Sequence, residues 1–313
     1  ACVPLRTPKG EIIGALEAIN RLNDKDFTEA DLSLFSVLAD QATIALERAR
    51  LQKESVEKQL LEKELGLAYE IQKGFWPKEL PSYPGFSVAA MSLPARHVGG
   101  DYYDFIALNP NVWAVAIGDV SGKGTSAALL MASLRTMLRT QVENGLSIEE
   151  TIYRLNNILI KDIPLDKFSS LLYGILDFEA GEFTYVNAGH PPPLLYDSAI
   201  PGVRSLGLVG GPPIGIQENL QIASARQKLR SGQAMILFTD GIPEARSRSG
   251  EFFGEDGLRA VVSEHATGDA QTLMEQIHGA VQDFAQGQPL ADDLTLIVIK
   301  VEGRGSSLSD KER

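Results

Sequence analysis

The sequence is poor in the residues that make disulfides and soft-metal sites, with one cysteine, Cys2, and four histidines among 313 residues. A lone cysteine forms no internal disulfide, so a reducing cytoplasm is the expected compartment. No paired His or Cys stands at zinc spacing, which turns attention to harder, oxygen-loving ions. Long apolar runs are also lacking. None approaches the ~20 residues that span a bilayer, and "LTLIVIKV" near the C-terminus has the length of a buried strand. The N-terminus shows no basic segment followed by an apolar stretch, as a secretory signal requires. It begins at Ala1 in mid-pattern, as a truncated segment does. Basic charge is short as well: 29 Lys and Arg stand against 41 Asp and Glu, a net charge of −12. That excess argues against a binder of duplex nucleic acid and against an anionic membrane surface. An acidic protein can still handle phosphate if it carries divalent cations.

What is present is the balance of a globular chain, 44% hydrophobic and 22% charged, long enough for one large domain or two modest ones. Residues 1–22 read as two short strands around the turn "TPKGE". Thr28 followed by Asp31 has the spacing of a helix N-cap with an acidic N3 residue, and nothing breaks the pattern until about residue 73. Such a helix is ~70 Å long at the usual rise per residue. Phe35, Leu38, Ala42, Ala45 and Ala49 follow 3-4 spacing, continued by Gln52 and Val56, and form a possible coiled-coil seam; Leu61, Leu65 and Ala68 fall out of phase with it. The same pattern also fits a helix packed on its own domain. "WPKELPSYPG" from Trp76 marks a boundary. Beyond it, strands are expected at 86–91, 101–108, 112–118, 171–177, 182–187, 193–196, 234–239 and 294–301, with helical blocks at 124–161 and 256–286. The result is an α+β layered fold with a largely antiparallel sheet. Residues 303–313 read as a polar, disordered tail.

The chemistry concentrates in acids at strand ends. In "VGGDYYDFIALNPNVWAVAIGDV" two apolar runs flank the turn "NPN", and a hairpin centred on Pro110 sets Asp101 opposite Asp119. Directly opposed Cβ atoms lie ~5 Å apart. Two poorly solvated carboxylates that close repel, and a divalent cation between them resolves the conflict. Two ordinary turn aspartates are the plainer reading of the same residues. "AMILFTDG" ends another apolar strand on Asp240, and "LADDLTLIVI" opens one after Asp292 and Asp293. Four acidic strand ends in one domain suit Mg²⁺ or Mn²⁺. The glycines of "VSGKGTS" permit a tight turn before a helix starting near Thr125, whose N-terminus favours an anion or a metal-bound ligand. This loop fails the P-loop pattern, because Lys123 is followed by Gly124.

"VGGDYYDF", "IGDVSGKGTSAALLMA", "NAGHPPPLL", "LFTDGIPEAR" and "ADDLTLIVI", in this order, resemble the PPM (protein phosphatase 2C type) metal-dependent Ser/Thr phosphatases, in particular the SpoIIE/RsbU-like branch. Residues 1–50 resemble the closing third of a GAF sensor domain, without most of its ligand pocket. The resemblance implies a β-sandwich flanked by helices over 76–302, joined to the sensor remnant by a signalling helix over 51–75. It implies two Mn²⁺ or Mg²⁺ ions held by Asp101, Asp119, Asp240 and Asp292 and by the backbone carbonyl of Val120, with Asp293 a weaker candidate. It implies attack of a metal-bridging hydroxide on phosphoserine or phosphothreonine, with no protein nucleophile.

The place where other branches carry a histidine after the second aspartate reads Val120-Ser121 here. His190 is then either the general acid or a cap in a rigid turn. Arg96 and His97 either hold a phosphate or form a surface ion pair. Glu244 is a candidate for orienting the turn after Asp240, and Lys123 reads as solvated. The resemblance further implies regulation through the preceding helix, and as substrate a phosphorylated STAS-type antagonist of an anti-sigma factor; the coil character of the 28–73 helix leads to the expectation of a homodimer through it. A pseudophosphatase scaffold and a metal-dependent hydrolase of small phosphate esters are the alternative readings.

Overall fold

The computed structural model describes residues 1–20, 26–164, 166–207 and 209–302, so the expected tail at 303–313 lies outside the described residues. The chain divides into two compact units, 1–67 and 68–313. The boundary falls inside the long helix, ahead of the Pro-rich stretch expected to mark it.

In the first unit, β1 (Cys2–Arg6) and β2 (Ile12–Glu17) form an antiparallel hairpin, and α1 (Glu29–Lys73) follows. The expected cap is present. The Thr28 amide donates to Asp31 Oδ2 at 2.8 Å, and the Asp31 amide returns a bond to Thr28 Oγ1 at 3.3 Å. The seam read from 3-4 spacing is split between two faces. Phe35 and Ala42 are partly buried beside the fully buried Ala39 and Thr43, whereas Leu38, Ala45 and Ala49 are exposed. The apolar row left in the open is instead Val37, Ile44 and Leu51, at seven-residue spacing.

The second unit begins with the last turn of α1. Its strands are β3 (Phe86–Leu93), β4 (Tyr102–Asn109), β5 (Val112–Val120), β6 (Ser169–Asp177), β7 (Glu182–Ala188), β8 (Leu194–Asp197), β9 (Ile200–Ser205), β10 (Gly210–Gly211), β11 (Ala225–Lys228), β12 (Gln233–Phe238) and β13 (Leu294–Val301). They form two sheets, ordered β10-β7-β6-β5-β4, with β11 also on β7, and β3-β13-β12-β8-β9. All pairings are antiparallel except β10 with β7. Each expected helical block is two helices. The first splits into α2 (Thr125–Glu143) and α3 (Ile148–Asp162) at Gly145, and Ser147 caps the second piece by accepting from the Glu150 amide. The second splits into α4 (Gly254–His265) and α5 (Ala270–Ala285), where Asp269 accepts from the Thr272 amide.

Strand periodicity assigns the layers. Tyr103, Phe105, Val115, Ile117, Leu172, Met235, Leu237, Ile297 and Ile299 share one buried cluster that draws from both sheets and fills the space between them. The alternate residues of β4–β7, among them Tyr102, Ala114, Ala116 and Tyr173, pack with α2 and α3. Those of β12 and β13, among them Ile236, Phe238, Leu296 and Val298, pack with α4 and α5. The result is a helix–sheet–sheet–helix sandwich. No helix among the described residues is long and apolar enough to cross a membrane.

Candidate metal centre

The β4–β5 hairpin has the register read from its turn. Tyr102 pairs with Gly118 and Tyr103 with Ile117, so Asp101, one step before β4, continues the ladder opposite Asp119. On the other side of β5, Asp119 pairs with Ser170. Parity then sorts the acids of "DYYD". Asp101 shares the face of Tyr103 and Phe105, between the sheets, while Asp104 shares the face of Tyr102, under the helices. The facing sheet contributes at the same end. Thr239 and Asp240 follow β12, Asp292 and Asp293 precede β13, and the Thr239 hydroxyl donates across the sandwich to Asp101 Oδ2 at 2.8 Å.

Asp101 is 4% exposed. Burial, then the charge of Asp119, holds its carboxyl well above the usual range, and the Thr295 and Thr239 hydroxyls oppose this only in part. Asp119 is pushed up to about 7 by burial and by the charges of Asp240, Asp292 and Asp293, against the pull of Lys123. Asp240 is raised by burial, then by Glu244 and Asp292. The Ser169 hydroxyl donates to the Asp119 carbonyl at 2.9 Å and fixes the strand end.

Asp293 acts on backbone rather than outward. Its Oδ1 accepts from the Ala95 amide and its Oδ2 from the Gly100 amide, both at 2.7 Å. This explains the paired glycines before Asp101. A Cβ on Gly99 would collide with Asp293 Oδ2, and one on Gly100 would lie 2.7 Å from the Val120 carbonyl oxygen. The same segment is held from the other side. Gln72, in the last turn of α1, donates to the Gly99 carbonyl at 2.7 Å and accepts from its amide at 3.1 Å.

The remaining candidates are placed as follows. Glu244 closes the turn through its amide, which donates to the Asp240 carbonyl at 2.8 Å, while its carboxylate adds negative charge beside Asp240. Arg96 is exposed and makes no ion pair among the described residues, so the surface pair considered for it is absent there. His190 is not set up as a general acid. It is 2% exposed, its Nδ1 shares a 2.8 Å hydrogen bond with Ser170 Oγ, and burial lowers its pKa to about 3. It is neutral at physiological pH and stands one residue behind the aspartates. Lys123 is partly solvated, as expected, but it is also partnered. Its Nζ pairs with Asp292 Oδ2 and donates to the Ala291 carbonyl, each at 2.7 Å.

Pairwise proximity has not become a finished cage. No group of three acidic, histidine or cysteine side chains among the described residues is drawn tightly enough to hold an ion as it stands. Like charges repel, Thr239 engages Asp101, and Lys123 engages Asp292. The donor set still fits hard divalent cations. It consists of carboxylates and a backbone carbonyl, and burial leaves their negative charge in need of more compensation than one half-exposed lysine supplies. Sequence reasoning missed Thr239, Ser169, Gln72 and the Lys123–Asp292 pair. Only for Thr239, beside Asp240 in an apolar strand, did the sequence carry a local signal.

Comparison with known proteins gives a consistent picture. The family model for stage II sporulation protein E (SpoIIE) matches residues 109–302, and the GAF domain model matches residues 1–46. Phosphoserine phosphatase RsbU of Bacillus subtilis is 29% identical over 248 residues, covering 77% of this chain and 71% of RsbU. The solved RsbU and RsbW domains of a Mycobacterium tuberculosis protein superpose with a TM-score of 0.61 at 29% identity, covering 71% of this chain and 61% of that one. The SiaA-PP2C domain of Pseudomonas aeruginosa shares the fold with a TM-score of 0.67 at 18% identity, covering 79% of this chain and 98% of that one.

Proposed function

The chain belongs to the SpoIIE family, and from that premise we propose that it is a metal-dependent protein serine/threonine phosphatase acting on a phosphorylated STAS-type antagonist of an anti-sigma factor. One observation carries the reading: acids from four separate strand ends meet at one end of the sandwich, where burial and mutual repulsion raise the pKa of Asp101, Asp119 and Asp240. Asp101, Asp119, Asp240, Asp292 and the Val120 carbonyl would hold two Mn²⁺ or Mg²⁺ ions. Such ions, when bound, lower the pKa of water and neutralise phosphoryl oxygens.

The chain's own residues supply position. Thr239 orients Asp101, Ser169 fixes the strand end at Asp119, and Asp293 holds the Gly99-Gly100 backbone on which Asp101 depends. The reading needs no covalent phosphoenzyme, because the attacking oxygen would come from water rather than from a side chain. His190, buried and held neutral, does not carry the imidazolium proton that a general acid would deliver, so the leaving alkoxide would take its proton from water or from another group. The exposed Val37, Ile44 and Leu51 of α1 support a homodimer through that helix, in a cytoplasmic signalling protein regulated by its GAF segment.

Turnover tests the reading. A serine-phosphorylated STAS protein, ATP and an aryl phosphate are each offered with Mn²⁺ or EDTA, to the natural chain and to Asp119→Ala. Mn²⁺-dependent release of phosphate from the phosphoprotein, lost in Asp119→Ala, is expected. Binding without turnover indicates a pseudophosphatase, and turnover of the small esters alone indicates a different hydrolase.

A further inference from the structure

Lys123 lies in the loop between Asp119 and α2, flanked by Gly122 and Gly124, both with positive φ (106° and 76°). That backbone turns the side chain back toward the acids instead of outward along the helix. Its ammonium has two bonded partners, Asp292 Oδ2 and the Ala291 carbonyl, each at 2.7 Å. Its charge also acts on Asp119 and Asp240. One lysine thus acts on three of the four candidate ligands. The pair is not sealed: the Lys123 side chain is 43% exposed and that of Asp292 27%. An ion pair of that exposure is readily exchanged, whereas a divalent ion drawing on several carboxylates at once is held more firmly.

We propose that Lys123 is a tethered counter-ion that holds Asp292 until a divalent cation takes its place, so that ion loading and release of the Lys123 ammonium are one event. The proposal rests on the metal-dependent reading above and adds a positioning residue to it. It means that the protein sets its own threshold for ion binding at Asp292, because the ion that binds there must displace a resident positive charge.

Two measurements on the full chain test it. Amine acetylation followed by mass spectrometry compares Lys123 in EDTA and in saturating Mn²⁺, with the exposed helix residues Lys53 and Lys58 as internal standards. Lys123 is expected to become more reactive on adding Mn²⁺ while the standards do not change. Unchanged or lower reactivity overturns the proposal. Calorimetric titration of Mn²⁺ into Lys123→Met and Lys123→Gln is expected to give roughly fivefold tighter binding than the natural chain, the scale set by a partly exposed ion pair. Weaker or equal binding in both variants shows that Lys123 prearranges Asp292 or only decorates the surface, and overturns the proposal. Failure of the natural chain to bind Mn²⁺ at all removes the metal reading itself, which is distinguishable from either result.

Discussion

Two acids three positions apart in the sequence, Asp101 and Asp104, have opposite fates. Asp104 is 0% exposed and fully answered: Arg139 donates to it from Nε and Nη2, each at 2.7 Å, and the Tyr102 hydroxyl donates at 2.8 Å. Asp101, nearly as buried, has hydroxyls for partners and carboxylates for neighbours. The strand's two-residue period sends one acid under the helices, where it ties α2 to β4. It sends the other between the sheets, where its charge is left in want of a cation. The fold is able to neutralise a buried carboxylate, so the unneutralised one marks the part of the molecule arranged for something other than stability.

The comparison can be broken first at Asp101. Asp101→Asn is expected to lose at least about a hundredfold in turnover, because on the metal-dependent reading it takes away a proposed ligand and several kcal/mol of metal assistance. In EDTA the same variant should melt about 2–4 °C higher, the shift of about 1 kcal/mol in a domain of this size, because a repelling charge is gone. Scanning calorimetry with and without Mn²⁺ reads both signs, and a lower midpoint in EDTA contradicts the contrast. Arg139→Met should do the reverse. It strands Asp104 and costs about 3 kcal/mol, the lower end for breaking a buried pair because Arg139 is partly exposed, as denaturant unfolding would record. Gly99→Ala is expected to cost about 1–3 kcal/mol by pushing on the Asp293 carboxylate, and to lower turnover with it; an alanine variant as stable as the natural chain disproves the close approach.

The effect on turnover is smallest at His190, where the readout is a pH slope in stability. Its folded pKa, about 3, lies below the ordinary 6.5, so between those values the unfolded chain binds more protons. Stability therefore falls as pH drops below about 6.5, approaching about 1.4 kcal/mol per pH unit from this residue. His190→Asn should flatten that slope while leaving the acid limb of the activity profile unmoved. A shift in that limb would return His190 to the chemistry.

Much of this was legible in the chain. Eight strands, the capped start of α1 and the Asp101–Asp119 register follow from apolar runs and turn residues, because each is decided within a few neighbours. The short strands β9, β10 and β11 escaped because they lack an apolar run, and β10 is a pair of glycines. The helix breaks at Gly145 and Gly268 were passed over because the apolar period resumes beyond them. At the site, acids at strand ends were visible, but their partners were not. Lys123 with Asp292, Gln72 with Gly99 and Arg139 with Asp104 join positions far apart in sequence, and no local pattern encodes which face a side chain will meet.

The amide of Gln72 has a mechanical consequence. Its oxygen and nitrogen both hold the same residue, Gly99, two places ahead of Asp101. A helix carries successive side chains about 100° apart, so rotating the last turn of α1 by a single position withdraws donor and acceptor together. Both bonds hang on one amide group, so a turn that carries that group away takes the hold on the backbone in front of Asp101 with it.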